Sequence, residues 1–147
     1  MTQPHAAYLA GIIDGEGSII LHMRRDDVVA MFVAIVNTSR GLLEWVEHTT
    51  GVGSIVDHDG GSLQRRPTWL WRANSEAAEA ILRQVHPFLI VKKAQASLGI
   101  ETQERLRVPA LKADRSWQPK WRQRMKALNR RGPQEAGEAP GPAVTDG

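Results

Sequence analysis

The chain has 147 residues, 41% of them hydrophobic, which is enough to bury the core of a single domain. It contains no cysteine, so disulfides and thiolate metal sites are excluded, and oxygen or imidazole ligands favour a hard cation such as Mg²⁺. The longest apolar run, residues 28–36, is too short to cross a bilayer, and the N-terminus lacks a signal-peptide pattern. We therefore expect an intracellular protein, in the cytoplasm, nucleoid or an organelle, with no membrane partner.

The formal charge of +3 is unevenly distributed along the chain. Residues 1–102 carry 9 Lys and Arg against 11 Asp and Glu, residues 103–131 carry 10 against 2, and residues 132–147 carry none against 3. The concentration of positive charge suits a polyanion, with nucleic acid as the leading candidate, although a solvated basic tail has the same composition.

Hydrophobic periodicity in the first half of the chain predicts a helix, a hairpin and a second helix. The first helix spans about residues 5–13 and ends at the Gly-rich sequence DGEG. Alternating apolar residues predict strands over 18–24 and 28–36, joined by the turn RRDD. The next helix is capped by Thr38 and Ser39 and stops at Gly51.

The second half repeats this order with another hairpin and two helices. Strands are predicted over 54–59 and 67–73, followed by a helix that Ser75 caps and Pro87 ends, and by a helix over 89–106. The order α, β, β, α, β, β, α, α predicts an α+β domain whose helices cover one face of an antiparallel sheet. The pattern leaves open whether Trp69 and Trp71 pack under the helices or lie on the other face.

After Pro109 the chain changes character. Apolar residues from Trp117 to Leu128 recur at helical spacing among Lys and Arg, which predicts a basic amphipathic helix that stops at Gly132. The rest is rich in Pro, Gly and small residues without periodicity, which is typical of disorder. We therefore divide the chain into a core of residues 1–107, a basic C-terminal helical extension of residues 108–131 and a disordered tail of residues 132–147.

The first predicted helix combines small residues with two acids. Ala7 and Gly11 are four residues apart, so one face would let another backbone come close. Asp14 and Glu16 follow at the C-terminal end, where the helix dipole disfavours carboxylates. A plain turn in which Asp14 caps local amides explains the glycines. A bound divalent cation would also offset the repulsion between carboxylates where two such helix ends meet.

Residues 9–17, LAGIIDGEG, resemble the LAGLIDADG motif of homing endonucleases. The order of elements across about residues 5–107 is similar to that family's core. Further sequences that resemble its single-motif branch are VNT at 36–38, TGVGSI at 50–55 and PFLIVKKAQA at 87–96.

The resemblance implies an αββαββα core with helices on one face of an antiparallel four-stranded saddle sheet. It also implies a homodimer that packs through the motif helices and hydrolyses both strands of a long pseudo-palindromic double-stranded DNA site, with Mg²⁺ or Mn²⁺ as cofactor. In this family the last acid of the motif, here Glu16, binds the metal, and the carbonyl of Gly15 assists. Asp14 corresponds to the earlier acid, which caps and orders the helix end.

The resemblance assigns further roles outside the motif. The active-site lysine would be Lys92, with Lys93 as the alternative, because both follow the sequence PFL. Asn37, at the end of the second strand, is a candidate for holding the nucleophilic water, although it can equally belong to the N-terminal cap of the next helix. Arg40 is a candidate contact to the scissile backbone.

The exposed face of the sheet would lie in the major groove, which is wide enough for a pair of strands. The candidate DNA contacts on strands, loops and the extension are Ser18, Ile20, His22, Arg24, Arg25, Arg40, Arg65, Arg66, Lys93, Lys120, Arg122 and Arg124.

Two other functions stay open from the sequence. One is a non-cleaving nucleic-acid-binding protein of the same fold, either an intron-RNA maturase with its own intron RNA as a partner or a transcription regulator. The other is a basic α+β interaction domain in which DGEG is only a turn.

Overall fold

The computed structural model describes the backbone of residues 1–58 and 66–138, with side chains up to residue 130. The elements in chain order are α1 Gln3–Glu16, β1 Gly17–Met23, β2 Val29–Asn37, α2 Arg40–Thr50, β3 Ser54–Asp57, β4 Trp69–Asn74, α3 Ser75–Val85, a single 3₁₀ turn His86–Phe88, α4 Lys93–Leu106, α5 Pro109–Ala113 and α6 Gln118–Glu138. Up to α4 this is the predicted order of helices and strands.

The four strands form one antiparallel sheet in the order β1-β2-β4-β3. Residues alternate between its two faces, so that Ile19 and Leu21 of β1 are buried under the helices while Ser18 is exposed. The predicted arrangement, with helices on one face of an antiparallel four-stranded sheet, is confirmed. We call the opposite side the outward face, and its residues on the three longer strands are Ser18, Ile20, His22, Ala30, Phe32, Ala34, Val36, Leu70, Arg72 and Asn74.

The end of α1 lies beyond its predicted position. The helix continues past Ile13 through Gly15 to Glu16, so it ends at the last glycine of DGEG and not before this sequence. The chain turns into β1 at Gly17, whose backbone is extended, with φ of −88°. A Cβ at Gly17 would lie only 2.8 Å from the Cα of Ile13, so close packing, not a left-handed conformation, requires glycine here.

Three further features of the helices differ from the prediction. The helix predicted over 89–106 begins only at Lys93, and the short helix α5 was not predicted. The basic helix does not stop at Gly132, because α6 continues to Glu138. A glycine inside a helix costs only about 1 kcal/mol relative to alanine, so it ends a helix only where the chain also takes up a cap conformation. The remaining predicted tail, residues 139–147, lies outside the described residues.

The C-terminal extension packs onto the core along the edge strand β1. Trp117, Trp121 and Met125 are buried in the same hydrophobic cluster as the core helices. Near the start of α6 the side-chain oxygen of Gln118 accepts a hydrogen bond from the Val29 amide at 2.8 Å. In the last described turns the amide group of Asn129 donates to the carbonyl of Ile19 at 3.0 Å. The bond to Ile19 uses a main-chain group that the edge strand β1 would otherwise leave free.

The two tryptophans of β4 face the helices, which answers the question that the pattern left open. Trp71 is fully buried and its Nε1 donates to the carbonyl of Val52 at 3.1 Å. Trp69 is partly buried against the core, with the Arg40 guanidinium 5.9 Å from its ring centroid. Within residues 1–58 and 66–138, none of the helices has the length and apolar character that crossing a bilayer requires.

Candidate active site and nucleic-acid interface

Four residues meet where α1 ends, and we call Asp14, Glu16, Asn37 and Lys92 the α1 corner. Glu16 is exposed, and its Oε2 accepts a hydrogen bond from Nδ2 of Asn37. Asn37 lies at the end of β2, and its own oxygen accepts from the Ser39 amide at 2.7 Å. Because both ends of its amide group are bonded, Asn37 holds the Glu16 carboxylate in one orientation.

The resemblance implied that Asp14 caps the end of its own helix, but its carboxylate bonds elsewhere. Its two carboxylate oxygens accept from the backbone amides of Ile90, Val91 and Lys92, at 2.8, 3.1 and 2.9 Å. These amides precede α4, which explains why that helix begins later than its periodicity predicted. Asp14 is therefore a structural acid, and it fixes a segment more than seventy residues away in sequence.

Lys92 points back to the motif. Its Nζ donates to the backbone carbonyl of Asp14 at 2.7 Å, and the side chain is half-buried. Burial lowers the pKa of Lys92 below its ordinary value of 10.5, and the Asp14 carboxylate partly opposes this shift. Lys93, the alternative, is exposed on the first turn of α4. The contact with the motif is thus made by Lys92.

The oxygen atoms at the corner suit a hard cation. Glu16 offers an exposed carboxylate, and Gly15 lies in the last turn of α1, where backbone carbonyls lack partners within the helix. The Asp14 carboxylate is already occupied by three amides. Within the described ranges there is no group of three or more acidic, histidine or cysteine side chains that could hold a metal ion. In the described part of the chain, the corner therefore offers one carboxylate that is open to solvent.

The solvent side of α1 carries small residues. Ala7, Gly11 and Gly15 are exposed, and a Cβ at either glycine would have no atom within 4 Å. Tyr8 is also exposed, and its ring meets the edge of Trp45 at 4.9 Å between centroids. The helix thus presents a flat strip on which another backbone could lie closely.

The outward face contains the strand residues predicted to contact DNA. Ser18 is exposed, and Ile20 and His22 are half-buried beside it. The His22 ring lies 5.5 Å from that of Phe32, tilted by 60°. Burial lowers the pKa of His22, and the positive charges of Arg72 and Arg24 lower it further.

The sequence analysis missed two outward-facing residues of β4. The guanidinium carbon of Arg72 lies 3.8 Å from the centroid of the Phe32 ring, and Arg72 Nε donates to Oδ1 of Asn74 at 2.9 Å. Alternation in the strand contained the signal. Once Trp69 and Trp71 are placed under the helices, Arg72 and Asn74 must face outward.

Some predicted basic contacts already have partners within the chain. Arg24 pairs with Asp26 and Arg40 with Glu44, each at 3.0 Å on the surface. The guanidinium of Arg124 stacks on Trp121 at 4.9 Å from the centroid.

The other predicted basic contacts lie on the periphery of the fold. Arg25 and Arg66 are exposed in loops, Lys120 is exposed on α6, and Arg122 is half-buried there. Arg65 falls outside the described residues.

Searches of family models and of curated protein sequences found no match to this chain. Solved structures do match it. The homing endonuclease I-CvuI, in complex with a DNA target in the presence of Mg, aligns with a TM-score of 0.70 over 86% of this chain and 82% of that one, at 19% identity. The archaeal intron-encoded homing endonuclease I-Vdi141I, complexed with DNA, has a TM-score of 0.68 over 84% and 83% of the two chains, at 20% identity.

A third match concerns a longer protein. The LAGLIDADG homing endonuclease I-GzeII, in complex with a DNA target, aligns over 86% of this chain but only 44% of its own, with a TM-score of 0.66 and 18% identity. The chain therefore has the fold of the LAGLIDADG homing endonucleases, as its motif predicted.

Proposed function

We propose that this protein is a homodimeric, metal-dependent endonuclease that cuts both strands of one long, pseudo-palindromic DNA site. The observation that carries the proposal is the α1 corner, where an exposed Glu16 is oriented by Asn37 and where Lys92 donates to the carbonyl of Asp14, two residues before Glu16. The proposal is supported by the fold, since the solved examples I-CvuI and I-Vdi141I are complexes with DNA. A DNA substrate also implies an intracellular site of action.

Each residue of the corner has a separate role in phosphodiester hydrolysis. A bound Mg²⁺ or Mn²⁺ supplies the charge that activates water and stabilises the leaving 3′-oxygen. Glu16 and the carbonyl of Gly15 would hold the ion, and Asn37 orients the carboxylate. Lys92 places a positive charge beside the reacting phosphate, where it offsets negative charge in the transition state.

A second copy of the chain completes the site. Packing the small faces of two α1 helices together brings two Glu16 carboxylates near each other, so each copy supplies the ligands that the other lacks. Two strands require two cleavage events, and a two-fold protein matches a target of approximately two-fold symmetry. We therefore propose that Ala7 and Gly11 lie at the centre of the dimer interface.

The outward face contacts the bases of the DNA, and α6 contacts its phosphates. The sheet is placed to enter the major groove, where base edges differ between all four base pairs. Residues 1–102 are net negative, so the basic residues of α6 are the main source of phosphate contacts and of salt-dependent affinity.

A cleavage assay on a library of candidate insertion-site sequences tests the proposal. We expect Mg²⁺-dependent double-strand cutting of one site, and we expect Glu16→Gln to bind that site while cutting at least about a hundredfold more slowly, because it removes the charge that holds the metal. Glu101→Gln, an equally conservative change on the exposed side of α4, serves as the control and should cut like the wild type.

Two outcomes would contradict the proposal. If Glu16→Gln and Glu101→Gln cut equally well, the corner is not the active site. If the wild-type protein cut no sequence of the library yet bound intron RNA tightly, the maturase function would replace the endonuclease.

A further inference from the structure

Arg72 occupies the middle of the outward face. Its strand β4 lies inside the sheet, between β2 and β3. In the register of the sheet Arg72 is opposite Ala34, which is opposite Ser18 on β1. The small side chains in this row leave the long arginine side chain room to lie across the sheet.

The guanidinium of Arg72 is ordered before any ligand binds. It is stacked at 3.8 Å on the Phe32 ring, and the bond from its Nε to Asn74 restricts rotation of the group. No carboxylate within residues 1–58 and 66–130 lies within salt-bridge distance of Arg72, whereas Arg24 and Arg40 are both paired. The group therefore keeps its full charge and two terminal nitrogen atoms for a partner outside the chain.

The geometry points to guanine as that partner, and we infer that Arg72 is a specificity-determining residue that reads one guanine in each half of the target. This inference rests on the proposed function, which places the outward face in the major groove. Because Nε is bonded to Asn74, recognition must use the two Nη atoms, which match the N7 and O6 acceptors of guanine as a bidentate pair. The other three bases do not present two acceptors at this spacing in the major groove.

The register also indicates where the guanine lies. The Arg72 guanidinium sits over Phe32, which pairs with Ile20, four residues after Glu16. At about 3.3 Å per residue along a strand this is roughly 13 Å from the α1 corner. With a rise of about 3.4 Å per base pair, the guanine should lie about three to five base pairs from the scissile phosphate.

The test measures sequence preference separately from cutting. Binding of the Glu16→Gln protein is measured against the target and against every single-base-pair variant of it. In that background we expect Arg72→Lys, which keeps the charge but loses the fork, to reduce the preference for guanine about tenfold or more at one symmetry-related pair of positions. The salt dependence of binding should not change, because no phosphate contact is lost.

Two further variants separate a base contact from a general effect. Phe32→Leu, which removes the stacking surface, should weaken the preference at the same positions by a few-fold. Arg83→Lys makes the same chemical change on α3, among the helices that cover the other face of the sheet, and should leave the preference at those positions as it is. Circular dichroism and thermal melting would verify that each variant is folded.

The possible failures are distinguishable. If the parent protein binds one site selectively but Arg72→Lys weakens all sequences equally, Arg72 contacts a phosphate and the inference is wrong while the proposed function stands. The same holds if Arg72→Lys changes no position. If the parent protein discriminates between no DNA sequences at all, the proposed function fails and the inference fails with it.

Discussion

At the α1 corner the polar side chains bond to one another and to the backbone, whereas on the outward face they are ordered by stacking and keep donors free. Asp14 satisfies three amides, and Lys92 returns to a carbonyl of the motif. On the outward face, Arg72 and His22 pack against Phe32 instead. The side chains of the corner are thus fixed by bonds within the chain, whereas those of the outward face are available to bind a ligand. We expect substitutions at the corner to change the rate of cutting, and substitutions on the face to change which sequence is cut.

The largest effect should come from Gly11→Leu, because it acts on both regions through the proposed dimer. The position faces open space in the single chain, and leucine is a better helix former than glycine, so the monomer should gain about 0.5–1 kcal/mol of stability. The same side chain would keep two α1 helices apart. We expect a folded monomer by analytical ultracentrifugation and a complete loss of double-strand cutting.

Ala80→Leu provides the matched control for this prediction. Ala80 is an exposed small residue on α3, a helix outside the proposed dimer interface. This variant should stay dimeric and active. A Gly11→Leu protein that remained a dimer and still cut both strands would contradict the proposed interface.

Asp14→Ala should affect the α1 corner and leave the outward face unchanged. The change removes the acceptor for three backbone amides, and hydrogen bonds to a charged group are strong, so the unfolding free energy should fall by about 2–4 kcal/mol. It also removes the acceptor that fixes the backbone of Lys92, so cutting should slow markedly. The relative affinity for different DNA sequences should not change, because the outward face is untouched.

Asp26→Ala is the control for losing a surface carboxylate. Asp26 accepts from one amide, that of Val28, at 3.3 Å in the turn between β1 and β2. Urea denaturation should therefore show a loss of under about 1 kcal/mol. Equal losses for the two variants would mean that the Asp14 clamp contributes no special stability.

The sequence predicted the parts of the fold that depend on local pattern. Burial on alternate positions of β1 and the cap of α2 at Ser39 follow from neighbouring residues and were confirmed. The predicted end of α1 was wrong because the two glycines of DGEG, Gly15 and Gly17, are equivalent as turn formers. Only the approach of Gly17 to the Ile13 backbone identifies the one at which the chain leaves the helix.

The candidate site was predictable to the extent that its residues lie in the motif or follow PFL. The resemblance selected Glu16, Asn37 and Lys92, and in the structure Asn37 bonds to Glu16 while Lys92 bonds to the Asp14 carbonyl of the motif. It did not indicate that Asp14 binds the amides before α4, because that contact joins segments distant in sequence. Arg72 was missed for a similar reason. Which residues of β4 face outward depends on which side of the strand the helices cover.

The smallest expected effect is a pH dependence of stability from Lys92. Burial lowers the pKa of Lys92 in the folded protein, so between that lowered value and 10.5 the unfolded chain binds more protons. The unfolding free energy of the wild type should therefore rise with pH across this window, relative to Lys92→Met, which has no titrating group there. Because the side chain is only half-buried, solvent screening should keep the gain under about 1 kcal/mol.

Urea denaturation of both proteins from pH 8 to 10.5 would measure this gain. Lys93→Met, at the next position, controls for the loss of one positive charge near the start of α4. The rise should disappear in Lys92→Met and persist in Lys93→Met, because it comes from the burial of Lys92, whereas Lys93 is exposed. Parallel pH profiles for the wild type and Lys92→Met would mean that the lysine is solvated and free of the corner. In that case the charge of Lys92 would not be fixed beside the reacting phosphate. Lys92 would then be as free to contact a ligand as the side chains of the outward face.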